Sequence, residues 1–238
     1  MSNSSFKFKQ FTIYHDKCAM KVGTDGVLLG AWAPIANVKR VLDVGTGTGL
    51  IALQLAQRNP HAKITAIEID TVAAEQAKNN VLHSPWADRI EVLCLDFRNY
   101  QQDDKFDLIV SNPPYFMDAL KCPDEQRCMA RHAGGLNYHS LFRHAVHLLS
   151  EQGKVSIIIP SEVEKTAVDA AWSHKLFPSH RMQVFTKPGK TCRRVLLTFG
   201  FQEKTCIEEN LCIEVNHNEF TPEYIALTKD FYLKMYFC

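Results

Sequence analysis

The chain has 238 residues, 46% hydrophobic and 22% charged, with a formal net charge of +1. That is room for one large domain with a substantial core, and it excludes a collagen-like repeat, global disorder and a small disulfide scaffold. No run approaches the roughly 18 apolar residues of a membrane span, residues 1–10 hold no apolar signal core, and the eight cysteines make no Cys-x-x-Cys pair, so a reduced, cytoplasmic protein off the membrane is expected.

In chain order, apolar runs predict strands at 40–44, 63–69, 90–95, 106–111, 155–159, 181–186 and 194–199. Helical spacing falls between them, at 49–58, 71–83, 137–149 and 161–173. In the last of these Ser161 reads as an N-cap with Glu164 at N3. Residues 223–236 predict a final helix. Strands alternating with helices predict a parallel sheet with helices over it. Cys94, inside the run IEVLCL, reads as a core residue. The longest predicted loop, 116–136, holds charges, Pro123 and Gly134–Gly135. Loops of that length in a compact domain usually serve a function. Cys122, Cys128 and His132 are too loosely spaced to predict a metal site, so none is expected. The chain divides into a 1–39 N-terminal extension and a 40–238 main domain.

The first clear strand runs into Val-Gly-Thr-Gly-Thr-Gly, placing Gly45, Gly47 and Gly49 at a strand-to-helix turn. Without Cβ atoms such a turn admits a ligand against its backbone. A dinucleotide fingerprint would need its third glycine at Leu50, and no Gly-Lys-Ser/Thr follows to make a phosphate loop. The next strand ends in Ile-Glu-Ile-Asp. Glu68 or Asp70 there can accept both hydroxyl hydrogens of a ribose, and Glu68 is preferred as nearer the strand body. After the third strand Asp96 can accept from an adenine amino group while Phe97 packs on the ring. These carboxylates fall at the carboxyl ends of successive strands, where open α/β sheets bind ligands. Asp43, Gly45, Gly47, Gly49, Glu68 and Asp96–Phe97 together resemble the motifs of the class I S-adenosyl-L-methionine-dependent methyltransferases. The resemblance implies a Rossmann-like, seven-stranded α/β sheet, mostly parallel with an antiparallel final hairpin and helices on both faces.

The fourth strand ends in Asn112-Pro113-Pro114-Tyr115. Two prolines stiffen the backbone directly behind the strand. An exocyclic amine conjugated to a purine is a poor nucleophile, because its lone pair is delocalised into the ring. Two acceptors that take its two hydrogens favour a pyramidal nitrogen with the lone pair aimed outward. The Asn112 side-chain oxygen and the Pro113 carbonyl can be those acceptors, and Tyr115 can stack on the base, worth about 1–3 kcal/mol. The tetrapeptide resembles that of amino-methyltransferases acting on adenine N6, cytosine N4 or a glutamine amide.

Adenine in RNA, a base in DNA and protein glutamine all remain open on the tetrapeptide alone. Only about 40 residues precede the glycine turn, too few for the helical domain of glutamine methyltransferases, and no target-recognition domain for DNA fits. The stretches Phe6–Trp32, Ser84–Ile90, Arg193–Phe199 and Tyr224–Leu233 resemble the bacterial tRNA1(Val) (adenine-37 N6)-methyltransferases over nearly the whole chain. That resemblance implies tRNA as partner and has Thr24 and its neighbouring backbone bind the methionine carboxylate of the cofactor. Residues 21–26 read as a turn able to fold over the cofactor. Phe6, Phe8, Phe11 and Ile13, interleaved with Lys7, Lys9 and Lys17, read as an edge strand or an RNA contact. Residues 165–205 carry eight Lys/Arg against two Asp/Glu. Lys187, Lys190, Arg193 and Arg194 are the densest cluster there and the candidates for holding tRNA phosphates; Arg127 and Arg131 are weaker ones. No feature fixes an oligomeric state, and a monomer is the working expectation.

Overall fold

Successive side chains of a strand point to opposite faces, so a strand apolar at every position must be covered on both. The computed structural model, which describes residues 4–18, 21–113, 137–216 and 219–234, meets that demand. Val41, Leu108, Val110 and Ile158 pack into one core, while Leu42, Ile109, Ile157 and Ile159 pack into another across the sheet.

The elements are β1 Ser5–Lys7, β2 Thr12–Tyr14, α1 Thr24–Trp32, β3 Arg40–Val44, α2 Leu50–Arg58, β4 Lys63–Glu68, α3 Thr71–Leu82, β5 Ile90–Cys94 and β6 Phe106–Ser111. After them come α4 Tyr138–Leu148, β7 Leu149–Pro160, α5 Glu164–Ser173, β8 Phe177–Phe185, β9 Arg194–Gly200, β10 Ile207–Cys212, β11 Glu214–Asn216, β12 Glu219–Phe220 and α6 Pro222–Thr228. The central sheet has the order β10-β8-β9-β7-β6-β3-β4-β5. Only β9 runs against its neighbours β7 and β8. Residues of α1, α2 and α3 line the first core, and those of α4 and α5 the second.

The sheet therefore has eight strands, where seven were expected. The addition is β10, parallel to β8 at the sheet edge. Its sequence IEENLC is exposed at its first four positions, so it lacks the alternation of a covered strand. Charged side chains are how a sheet edge avoids pairing with other chains. Strand β7 begins six residues before the predicted 155. Its register against β6 shifts between Phe106 and Leu108, and a Cβ on Gly153 would meet the Phe106 carbonyl oxygen at 2.8 Å. That irregularity hides the front of the strand from a period-two pattern.

The predicted turn at 21–26 is half right: α1 starts at Thr24. Gly26 and Gly30 weaken its helical signal, but packing crowds both positions, Gly30 most. A Cβ at Gly30 would run into the Gln54 side chain, and one at Gly26 would lie 3.0 Å from Leu50 Cδ2. The Ser161 capping box does not form. Ser161 starts a 3₁₀ turn and its hydroxyl donates to the Cys192 carbonyl at 2.8 Å, while Glu164 takes Arg181 at 2.5 Å. The final helix stops at Thr228 and Tyr232 turns back to bridge Phe8, while residues 235–236 of the expected helix lie outside the described residues. Cys94 is exposed at the end of edge strand β5, not in the core.

Residues 5–14 form a separate hairpin, β1 against β2. Its apolar side chains are core: Phe8, Phe11 and Ile13 are all buried. Phe8 and Phe11 stack with centroids 4.7 Å apart, and Phe11 meets Trp86 edge-on.

Candidate active site

Parallel strands gather their carboxyl ends along one edge, and the candidate residues lie there. The turn after β3 holds Gly45, Gly47 and Gly49 at φ +72°, +57° and +83°, a region L side chains rarely adopt. A Cβ added at Gly49 would lie 3.6 Å from the Ala77 Cβ and close to the Ala77 backbone. A Cβ on Gly45 or Gly47 would meet nothing within 4 Å, so the turn leaves open space over its backbone. Asp43, fully buried at the end of β3, accepts from Thr46 Oγ1 at 2.6 Å and Ala52 N at 3.2 Å through one oxygen. Its other oxygen, Oδ1, is buried with no hydrogen-bond partner. Burial outweighs these bonds and pushes the carboxyl up to about 7.

Glu68 closes β4. Its Oε2 accepts from Gly47 N at 2.9 Å, and its Oε1 from Ile69 N and Asp70 N at 2.9 and 3.0 Å. The carboxylate is thus fixed against the glycine turn, with one lone pair of Oε2 left for a further donor. Asp70 instead caps α3, accepting from Ala73 N at 2.8 Å. The neighbouring Ile69 is 62% exposed beside Glu68, an apolar face that sequence reasoning missed. Asp96 binds Arg98, whose guanidinium holds its carboxyl below the usual range. Phe97 is buried, its ring edge-on to His144 at 5.9 Å.

Val44 pairs with Ser111, so the glycine turn and Asn112 leave the sheet side by side from the adjacent strands β3 and β6. Ser111 fixes this exit, its hydroxyl donating to the Val44 carbonyl at 2.8 Å. Asn112 is half-buried and Pro113 buried. Pro114 and Tyr115 lie outside the described residues, as do loop 116–136, Arg127, Arg131, Cys122, Cys128 and His132. Thr24 opens α1, whose Gly26 abuts Leu50, the first residue of α2.

Loop 186–193 reaches the same edge, since Arg194 pairs with Pro160 at the end of β7. The loop's three cations and Arg194, the first residue of β9, are not presented equally. Arg194 is tied to Asp25 at 2.8 Å and Lys187 lies 3.5 Å from Glu214, while Lys190 and Arg193 are exposed. Among the described residues no group of three or more His, Cys, Asp or Glu is placed to hold a metal, and no helix is long and apolar enough to cross a membrane.

Open glycine backbone, an orphaned buried carboxylate oxygen and a second carboxylate on the next strand fit a cationic ligand bearing a ribose. Solved structures share the fold. A predicted O-methyltransferase from Agrobacterium tumefaciens superposes with a TM-score of 0.68 at 21% identity, over 87% of this chain and 96% of that one. A glycopeptide N-methyltransferase solved with S-adenosyl-L-methionine does so at 0.55 and 12%, over 76% and 100%. Strand order and site define a methyltransferase-type α/β domain, and the methyltransferase small domain model matches residues 22–173. The tRNA1(Val) (adenine(37)-N6)-methyltransferase of Bacteroides thetaiotaomicron is 54% identical over 236 residues, 99% of this chain and 100% of that protein. Its namesake in Enterobacter sp. strain 638 is 43% identical, over 99% and 97%. The chain belongs to this methyltransferase family.

Proposed function

We propose that this protein transfers a methyl group from S-adenosyl-L-methionine to the exocyclic N6 of adenine 37 in tRNA1(Val), in the cytoplasm. The adjacency of the glycine turn and Asn112-Pro113, at the ends of neighbouring strands, carries the reading. When bound, the cofactor supplies a methyl already activated on a sulfonium. The residues then have to hold, orient and polarise, which is where most of the barrier reduction arises.

Gly45 and Gly47 offer backbone to the cofactor, and Glu68 takes ribose hydroxyls. Asp43 and Thr24 serve its methionine end, Ile69 and the Asp96–Phe97 segment its adenine end. Asn112 Oδ1 and the Pro113 carbonyl accept the two N6 hydrogens of the target adenine. That turns the nitrogen lone pair out of the ring and toward the methyl. A new N–C bond forms as the S–C bond breaks, and the methylated nitrogen then sheds one proton to water. From the sequence pattern, Pro114 is assigned to stiffening the tetrapeptide and Tyr115 to stacking on the base. Lys190 and Arg193 meet tRNA phosphates, assisted by Lys187.

The test is incubation with labelled S-adenosyl-L-methionine and bulk tRNA from a strain lacking the activity, followed by nucleoside mass spectrometry. N6-methyladenosine in a valine tRNA is expected; label in protein alone would sink the RNA reading. Asn112→Ala is expected to fold and bind cofactor while losing roughly 10²–10³ in turnover, the usual loss for one transition-state hydrogen-bond partner. Turnover at the level of the parent protein would exclude the acceptor role.

A further inference from the structure

An asparagine or glutamine inside a core must have its amide bonded, since an unmet buried polar group costs about 1–3 kcal/mol. Helix α3 buries two, Gln76 and Asn80, one turn apart and therefore on one face. Nothing in the local sequence requires them, since their partners are distant in the chain. Asn80 Oδ1 accepts from Tyr14 N at 2.9 Å, and its Nδ2 donates to the Tyr14 carbonyl at 2.9 Å, as a neighbouring strand would. The same Nδ2 also donates to the Thr48 carbonyl at 2.9 Å. Thr48 stands between Gly47 and Gly49, so one side chain ties the end of β2 to the glycine turn. Gln76 repeats the grip three residues along the N-terminal segment. Its Oε1 accepts from Lys17 N at 2.8 Å and its Nε2 donates to Asp16 Oδ1 at 3.2 Å.

The segment so held runs beside the ribose carboxylate. Cys18 lies near enough to Glu68 and Asp70 for their charge to act on its thiol, after burial, which is the larger cause of its upward shift. Glu68 in turn takes the Gly47 N–H. Residues 14–17, α3, the glycine turn and Glu68 are thus joined by one set of hydrogen bonds, with Cys18 next along the chain. We infer that Gln76 and Asn80 are positioning residues for the methyl donor: they clamp residues 14–18 to the glycine turn and make the N-terminal hairpin one wall of the cofactor site. The inference rests on the S-adenosyl-L-methionine reading of that site. Neither amide touches the reacting atoms, so their effect falls on cofactor affinity rather than on the chemical step.

Asn80→Asp keeps size and the acceptor for Tyr14 N but replaces both donations with a carboxylate facing two carbonyls. Gln76→Glu makes the milder change at the other grip, setting a carboxylate against Asp16. In the full chain, calorimetric binding of S-adenosyl-L-homocysteine is expected to weaken about tenfold or more in Asn80→Asp and by less in Gln76→Glu, from lost hydrogen bonds. With tRNA, KM for S-adenosyl-L-methionine is expected to rise in step, while kcat at saturating cofactor and KM for tRNA stay within about twofold. Hydrogen exchange without cofactor should speed up in 14–18 and 46–49 together. If Asn80→Asp fails to fold, Gln76→Glu carries the same comparison. Unchanged cofactor affinity in a folded variant, or a fall in kcat with affinity intact, overturns the inference. If the unaltered protein binds no cofactor, the function reading fails instead, and coupled exchange of the two segments still tests the clamp.

Discussion

Gly47 combines a φ of +57° with open space where a Cβ would stand. Alanine there opposes its own backbone, at a cost of roughly 1–2 kcal/mol, and places a methyl where the ligand approaches. Gly47→Ala is expected to leave the melting temperature within a few degrees yet weaken S-adenosyl-L-homocysteine binding at least about tenfold in calorimetry. Asp43 acts through its proton. Its carboxyl is raised to about 7 in the folded chain, well above the roughly 3.9 of an unfolded aspartate. Between those values the folded state binds the extra proton, so this contribution is full below pH ~4, is lost as pH rises through 7, and is flat above. Urea unfolding between pH 4 and 8 is expected to show that slope, and Asp43→Asn to flatten it. The glycines, Glu68 and Asn112 were legible because each terminates an apolar run in a recognisable string. Gln76, Asn80 and Ile69 were not. Helix spacing makes no distinction between a polar residue facing water and one whose partner is 66 residues away.

Elements show where local pattern and packing disagree. Strands β3, β4, β5 and β6 were found within a residue, since each carries a short apolar run that ends in a turn signal, although only β3 and β6 are buried along nearly their whole length and edge strand β5 exposes Glu91 and Cys94. The first residues of α1, 24–26, were expected in a turn, and two glycines lower the helix propensity by about 1 kcal/mol each. Side chains of α2 crowd both positions, Gly30 most, so the usual gain of a helical Gly→Ala exchange is expected to reverse at Gly30. Gly30→Ala should lose about 1–3 kcal/mol in urea unfolding through overpacking against Gln54. Added stability would show that Gln54 moves aside without cost. Strand β10 escaped for the opposite reason: as an exposed edge it owes its pairing to the β8 backbone, and its side chains carry no sign of it.

On the scale of the molecule the charge is small and unevenly placed, +1 overall with eight Lys/Arg against two Asp/Glu in 165–205. The sequence predicted the basic cluster but not its internal division. Arg194 serves α1 through Asp25, which leaves Lys190 and Arg193 outward. Each phosphate contact removed should lower the slope of log affinity against log salt by about 0.7–0.9. Filter binding of tRNA by the Lys190→Ala/Arg193→Ala double variant is expected to lose roughly 1.4–1.8 of that slope. Arg194→Ala is expected to lower thermal stability more than the slope. An unchanged slope in the double variant would place the RNA elsewhere.

The hairpin is closed from the far end of the chain. Lys9 N bonds the Phe231 carbonyl at 2.8 Å, Lys9 Nζ the Lys229 carbonyl at 2.7 Å, and the rings of Phe6 and Phe8 pack on Tyr232. Lys9 and Lys229 are 220 residues apart. At a synthesis rate of about 5–20 residues per second, Phe6 and Phe8 wait roughly 10–40 s after leaving the ribosome for their cover. Chains stalled before residue 222 should therefore present an aromatic hairpin to holdase chaperones, detectable by cross-linking. Emergence of residues 229–232 should end that exposure, making the arrival of that segment the event that seals the hairpin.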